Sequence, residues 1–366
     1  MKRLLLAGGG HSHIEVLRRF ALQRPCDTEI TVVTPSPLLL YTGMWPGWIG
    51  GLYKTEECAI DVERLAGAAN ADFVKASVIG IDPATSTVLI DDDTRLGYDL
   101  LSLDIGATPP RQDVAGAEQH SIPVKPIKAF GDWWDKLLRE RTGPIRVGIV
   151  GGGVGGIELA LAMHHRLAAT DNAYGTVFLV DSDRHILPEK NDRARQLISE
   201  ILAARGIEVH TGSEVVAVDP RVLRLVDGAR IPFDHLVWAT GVAPPAWLAS
   251  SGISLDERGF VLVDATLRSV SHERIFAAGD VAGMSNCALP KAGVYAVRQG
   301  PVLADNLRRA LAGKPLAAYR PQRHALALIG TGERDAVAVR GAFALRGKCV
   351  WRWKELIDRR FVARYR

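Results

Sequence analysis

A chain of 366 residues, 47% hydrophobic, 23% charged and carrying 36 glycines, exceeds one compact core and reads as a glycine-rich α/β protein of two or three domains. No apolar run approaches the roughly 20 residues that cross a bilayer. A formal net charge of +4 is too small to argue for nucleic acid, and no motif that reads RNA or DNA is present.

The segment from Met1 to Ala7 runs straight into Gly8-Gly9-Gly10-His11-Ser12-His13. A signal peptide needs a longer apolar stretch, so this segment is predicted as the first strand of a cytoplasmic protein. Strand, glycine turn and helix together make a pyrophosphate cradle. The missing side chains let the backbone close on the ligand, and the helix N-terminus offers free N–H groups and partial positive charge. Gly8, Gly10, Ser12 and His13 are the candidate contacts. The third glycine position is nevertheless His13, and the next strand, Ile30 to Val33, ends in Thr34. A hydroxyl there reaches a ribose less strongly than a carboxylate would. Farther on, Ser102 to Pro109 reads as an apolar strand ending in a small-residue turn that sets Gly106 and Thr108 beside the ligand. Pro109, Pro110, Pro123 and Pro126 mark a linker.

A second and better cradle follows the strand Ile145 to Val150. Gly151, Gly153 and Gly156 fill all three glycine positions, and the helix continues through Glu158. The strand Val177 to Val180 ends in Asp181, where a carboxylate accepts from both ribose hydroxyls and repels a 2′-phosphate. That pattern predicts NAD(H) over NADP(H), with Arg184 close enough to soften the preference and a plain turn role for Asp181 as the alternative. Leu236 to Gly241 repeats the strand-and-small-turn pattern and contributes Thr240 and Gly241. Pro244 and Pro245 mark the second linker.

Two cradles imply two dinucleotides. The string Arg274 to Val281 ends a buried-type strand in Gly279-Asp280, where a carboxylate can accept from a ribityl hydroxyl and the next helix can aim its N-terminus at a flavin pyrimidine. This assigns FAD to the first cradle. The expected fold is α/β with two Rossmann-like FAD/NAD(P)-binding domains, the NAD domain inserted in the FAD domain, and a short C-terminal region. The boundaries read 1–118 and 255–315 for the two parts of the FAD domain, 119–254 for the NAD(H) domain, and 316–366 for a C-terminal interface or membrane-surface region.

Cys26, Cys58, Cys287 and Cys349 form no CxxC or CxxxxC pair, which excludes a local dithiol relay. Cys287 falls near the flavin or is a small core residue. His11 and His13 lie in the glycine turn and His164 and His165 face different ways on a helix, so no metal is expected. The tail from Leu345 mixes Trp351, Trp353, Leu356, Ile357 and Phe361 with eight basic residues. Such a segment suits peripheral contact with an anionic membrane at its inner face. Arg360 and Arg364 fall close to the apolar stripe, so a packed helix or a homodimer contact is an equal alternative.

The cradle pair, Ala239-Thr240-Gly241, Phe276-Ala277-Ala278-Gly279-Asp280 and the segment from Leu289-Pro290-Lys291-Ala292-Gly293 to Asn306 resemble the pyridine nucleotide–disulfide oxidoreductase superfamily over residues 1 to about 350. Within it the chain is similar to type II NADH:quinone oxidoreductases, through Ala327 to Gly330 and Gly341, Leu345, Gly347 and Trp351. It is also similar to the flavoprotein module fused to selenophosphate synthetase, through residues 8–13, 41–47 and 104–109.

The resemblance implies that NADH gives hydride to FAD on one flavin face and that an acceptor, with quinone the leading candidate, takes electrons on the other. Glu158 falls where similar proteins place a carboxylate near the nicotinamide, or is a first-turn acid favoured by the helix dipole. Lys291 stabilises charge on the reduced flavin or is a solvated loop lysine; Gly293 belongs to the same turn. Tyr41 to Pro46 line the acceptor side or simply turn. Departures bear on the acceptor: Val294 and Arg298 stand where quinone-reducing relatives carry glutamines, leaving Gln299. The Pro290 to Gly293 turn resembles sulfide:quinone oxidoreductases, an alternative activity made weaker because their cysteine relay is not recognisable here. A redox-responsive flavin-binding regulator with slow turnover is the alternative from a different class.

Overall fold

The computed structural model describes residues 1–169 and 175–366. Its frame is one device used twice. Five parallel strands form the first sheet in the order Ile275–Ala277, Leu100–Leu103, Lys2–Ala7, Thr28–Val33, Asp72–Val74. Five more form the second in the order Ile122–Pro123, His235–Trp238, Arg146–Val150, Thr176–Val180, Glu208–His210. One edge of the first sheet comes from residues that follow the whole second sheet, so the second unit is inserted in the first, as expected.

Parallel strands covered on both faces are apolar where they are buried, as residues 4–7, 177–180 and 275–277 are. Alternation divides the first sheet: Leu4, Leu6, Ile30 and Val32 pack on the helix His11–Leu22 side with Leu303 and Leu307 of the helix Gly293–Leu311, while Leu5, Val33, Leu101 and Leu103 pack with Ile81, Val88 and Ile90. The latter belong to an antiparallel meander, Val78–Asp82, Thr87–Ile90 and Arg95–Gly97; the second unit carries its counterpart at Val215–Asp219, Val222–Leu225 and Arg230–Pro232. Where the chain passes between units, Thr108 and Ala243 hydrogen-bond reciprocally, N–H to O, at 3.0 and 2.8 Å. The two linker turns are thereby tied to each other.

The C-terminal region is a three-stranded antiparallel sheet, Ala327–Gly330, Ala336–Arg340 and Phe343–Gly347, followed by the helix Lys348–Ala363. The structure splits the apolar stripe expected of that helix. Val350, Trp351, Phe361 and Val362, at helical spacing, pack on the first unit, where Trp351 stacks on Tyr53 at 6.1 Å and the Tyr365 hydroxyl donates to Glu15 at 3.0 Å. Trp353, Leu356 and Ile357 point outward, 46%, 48% and 39% exposed. The helix is therefore a packed element that keeps a second apolar face in solvent. Among the described residues no helix is long and apolar enough to cross a membrane.

This division separates two tryptophans. Trp351→Ala should cost about 3–5 kcal/mol, the usual range for emptying a buried aromatic site, whereas Trp353→Ala should change stability by less than about 0.5 kcal/mol. Denaturant midpoints of the two variants check this, and equal shifts would contradict the packing.

Candidate active site

One cavity of about 1650 Å³ runs from the first glycine turn past the second to the C-terminal helix. Gly8, Gly10, Thr34, Gly106, Thr108, Asp280 and Gly293 line it from the first unit. Gly151, Gly153, Asp181, Thr240, Gly241 and Glu158 line it from the second, and Lys291 closes one side. Four expected residues do not reach it: Ser12, His13, Gly156 and Gly279.

Gly8 and Gly151 take φ of +99° and +119°, a region that favours glycine. Cβ atoms on them would fall 2.3 Å from Asp104 O and 2.5 Å from Ala239 O. Each turn thus passes directly beneath the end of the equivalent neighbouring strand. Gly156 serves helix–strand packing, since a Cβ there would meet Gly151 O.

His13 replaces the matching glycine in the first unit by hydrogen bonding. Its Nδ1–H donates to Gly8 O at 2.6 Å, so Nε2 accepts the Ser102 hydroxyl at 2.8 Å. Full burial lowers its pKa to about 4 and keeps the ring neutral. The Ser12 hydroxyl donates to Ala296 O at 2.8 Å. Both side chains, on residues expected as contacts, are turned inward to fix the helix. Gly279, at φ +70°, donates its N–H to Gln299 Oε1 at 2.7 Å. The surviving glutamine is spent on that turn, and Val294 and Arg298 face the cavity instead.

Two residues that sequence reasoning missed line the cavity near the first glycine turn. Lys125 pairs with Asp280 at 2.8 Å across the unit boundary. Its linker position carries no motif that could have disclosed it. His11, named in the sequence only as a turn histidine, is buried at the cavity wall with Nε2 unpartnered. Desolvation lowers its pKa to about 4, against the attraction of Asp280 and helped by the repulsion of Lys125. Tyr41 lies edge-on to His11 at 5.7 Å and stacks on Phe361 at 4.3 Å. The Tyr41 hydroxyl hydrogen-bonds Asp358, and burial holds its pKa far above the usual phenol value.

In the second cradle the Asp181 carboxylate accepts from Gly152 N–H and, at 2.7 Å, from Asp183 N–H. Burial raises its pKa. Thr34 occupies the same place under Gly9. The Thr240 hydroxyl is buried in the cavity wall without a partner. Two orphaned polar atoms, His11 Nε2 and Thr240 Oγ1, and two side-chain-free cradles fit a pair of dinucleotides.

Glu158 bridges the second unit to the C-terminal sheet by accepting from Gly330 N–H at 2.7 Å. Desolvation raises its pKa to about 7, offset by Lys354 and the Gly330 N–H and reinforced by Asp358. Lys354 donates to Asp358 at 2.7 Å and to Gly43 O, so a buried ion pair on the C-terminal helix faces the same wall. Lys291 is not a solvated loop lysine. Its ammonium donates to Ala282 O at 2.6 Å and lies 3.6 Å from the Phe260 ring centre, and burial lowers its pKa to about 8. None of the four cysteines lines the cavity.

The chain's residues 3–305 match the family model described as pyridine nucleotide-disulphide oxidoreductase, and the chain belongs to that family. It is a flavoprotein oxidoreductase that uses FAD and NAD(H). It is 25% identical to the demethylphylloquinone reductase of Synechocystis sp., covering 100% of this chain and 92% of that protein. Among solved structures it is similar to the sulfide:quinone oxidoreductase of Aquifex aeolicus, with TM-score 0.81, 19% identity, and 100% and 92% coverage. It is likewise similar to NDH2 from Plasmodium falciparum in complex with NADH, with TM-score 0.78, 14% identity, and 100% and 97% coverage. At those identities the two structures speak for the fold.

The raised Glu158 pKa sets a pH dependence. Its folded value lies above its unfolded value, so the neutral acid favours the fold and stability is lost as pH rises from about 4.5 through about 7. Glu158→Gln should therefore gain in thermal midpoint relative to wild type between pH 5 and pH 8. A gap that stays constant across that range would contradict the assignment.

Proposed function

We propose that the chain oxidises NADH and reduces a membrane-soluble quinone, docking peripherally on the membrane through the exposed face of its C-terminal helix. The observation that carries this reading is Ile357, which lines the cavity and also belongs to the outward apolar face with Trp353 and Leu356. The acceptor end of the cavity thus opens beside an apolar surface. Arg352 and Arg360, exposed on that helix, suit anionic headgroups. The near relative in Synechocystis sp. is named for a quinone-class substrate, which supports the same acceptor.

Bound FAD supplies the two-electron link between nicotinamide and acceptor. The chain's residues hold, orient and exchange protons. The backbone amides of Gly9, Gly10 and His11 are set to hold the FAD pyrophosphate, and Asp280, fixed by Lys125, to hold the ribityl chain. The second turn and Asp181 are set to hold NADH, Asp181 taking the ribose hydroxyls. Tyr41 and Phe361 wall the acceptor side and exclude water from it. A quinone takes up two protons on reduction, and Glu158, with a pKa of about 7, both holds and yields a proton near neutrality. Lys354 and Asp358 adjoin it.

Purified holoprotein, NADH and two quinones, one short-tailed and water-soluble and one long-tailed in anionic liposomes, test this. Trp353→Glu with Leu356→Glu should abolish liposome binding and slow long-tailed quinone turnover at least tenfold, with short-tailed turnover retained. Unchanged turnover of both quinones by the variant would remove the docking face. Reduction by NADH without turnover on either quinone would favour the redox-responsive regulator, and a change in oligomeric state without loss of liposome binding would make the face a dimer contact.

A further inference from the structure

The two units can be compared position by position, because Asp104 N–H donates to Ala7 O at 2.8 Å as Ala239 N–H donates to Val150 O at 2.8 Å. In that register Ser102 matches Val237, Asp104 matches Ala239, and His13 matches Gly156. The NAD cradle is apolar or small at all three places. The FAD cradle is polar and buried at all three.

Asp104 is the unexpected member. Its carboxylate Oδ2 accepts from Ser12 N–H at 2.7 Å and His13 N–H at 3.0 Å, capping the helix His11–Leu22 from another strand. The second glycine of such a turn is kept bare so that the backbone can approach a pyrophosphate. A Cβ on Gly153 would meet nothing within 4 Å, but one on Gly10 would lie against the Asp104 carboxyl group. A carboxylate therefore stands in space that the NAD cradle leaves clear.

The surroundings do nothing to favour its charge beyond those two amides. From its own helix neighbour come His13, neutral and hydrogen-bonded elsewhere, and His11, also neutral. From the Gly279–Val281 turn comes the anion Asp280, already paired with Lys125. Ala296 and Gln299, both uncharged, approach that turn from the helix Gly293–Leu311. Burial, with Asp280 adding to it, raises the Asp104 pKa to about 7 although both amides pull it down. A pyrophosphate brings further negative charge to the same place. A neutral carboxyl group can instead donate its O–H to a phosphate oxygen while its other oxygen keeps accepting from the helix amides.

We propose that this chain binds FAD with Asp104 protonated, so that FAD binding takes up one proton and FAD affinity falls as pH rises, an inference that rests on the first cradle being the FAD site. The proton comes from solvent and returns to it on release; no bond of the cofactor changes. Asp104 is a positioning residue with a charge that the cofactor selects against.

Flavin fluorescence released on dilution of purified holoprotein gives the FAD Kd at each pH from 6 to 9. The wild-type Kd should be level at the acid end and rise towards tenfold per pH unit above about 7. Asp104→Asn, uncharged throughout, should stay level over that range and bind FAD at least tenfold more tightly than wild type at pH 8.5. Lys291 and Glu158 titrate in the same window, so a slope surviving in Asp104→Asn would assign the proton to them and overturn the proposal. A level wild-type profile, or no effect of Asp104→Asn at any pH, would overturn it as well, while full FAD retention by Gly10→Leu would overturn the cradle assignment instead. If Asp104→Asn does not accumulate, Asp104→Ser reads the same slope.

Discussion

Each half of the molecule depends on a strand-end carbonyl that leaves no room for a side chain on the first glycine of the neighbouring turn. Asp104 O and Ala239 O impose that limit on Gly8 and Gly151. The left-handed turn that results carries the chain from a buried strand into a helix that starts at the cavity wall, at His11 and at Val154. The paired cradles, the reciprocal Thr108–Ala243 bridge between the units and the cavity that runs past both turns go with repeating this constraint in two sheets that share the order of four strands.

The C-terminal region adds a further wall to the two-dinucleotide frame. Glu158 of the second unit accepts from Gly330, and Lys354 reaches Gly43 of the first. The wall where those contacts meet is built by three parts of the chain, and a buried ion pair, Lys354 with Asp358, lies in it. Burying such a pair is costly unless its remaining valences are satisfied. Here Gly43 O and the Tyr41 hydroxyl satisfy them, and the stacked Tyr41–Phe361 pair is fixed as a consequence.

Much of this was legible in the chain. Glycine turns after apolar strands, the Gly279-Asp280 strand end and the order of the elements foretold the inserted architecture, because local backbone demands and buried-strand composition are written in contiguous residues. The roles of single side chains were less so. Lys125 meets Asp280 from 155 positions away, and no local pattern marks that pairing. The glycine turn named His13 as a contact, but three successive positions at a helix start point in three directions, and only His11 reaches the cavity. The tail's apolar residues make one stripe in the sequence where the structure has two, because packing on the first unit decides which of them are inside. Asp104 had a visible signal: the two strand-end segments already looked alike, and setting them side by side puts a carboxylate opposite Ala239.

Anaerobic stopped-flow mixing of the holoprotein with NADH and, separately, NADPH, followed by flavin absorbance, tests the central claim most directly. Rapid bleaching by NADH, with NADPH much slower because Asp181 meets its 2′-phosphate, is the predicted result. Bound flavin that neither nucleotide reduces would contradict the reading of the cavity as a passage from NADH to an acceptor.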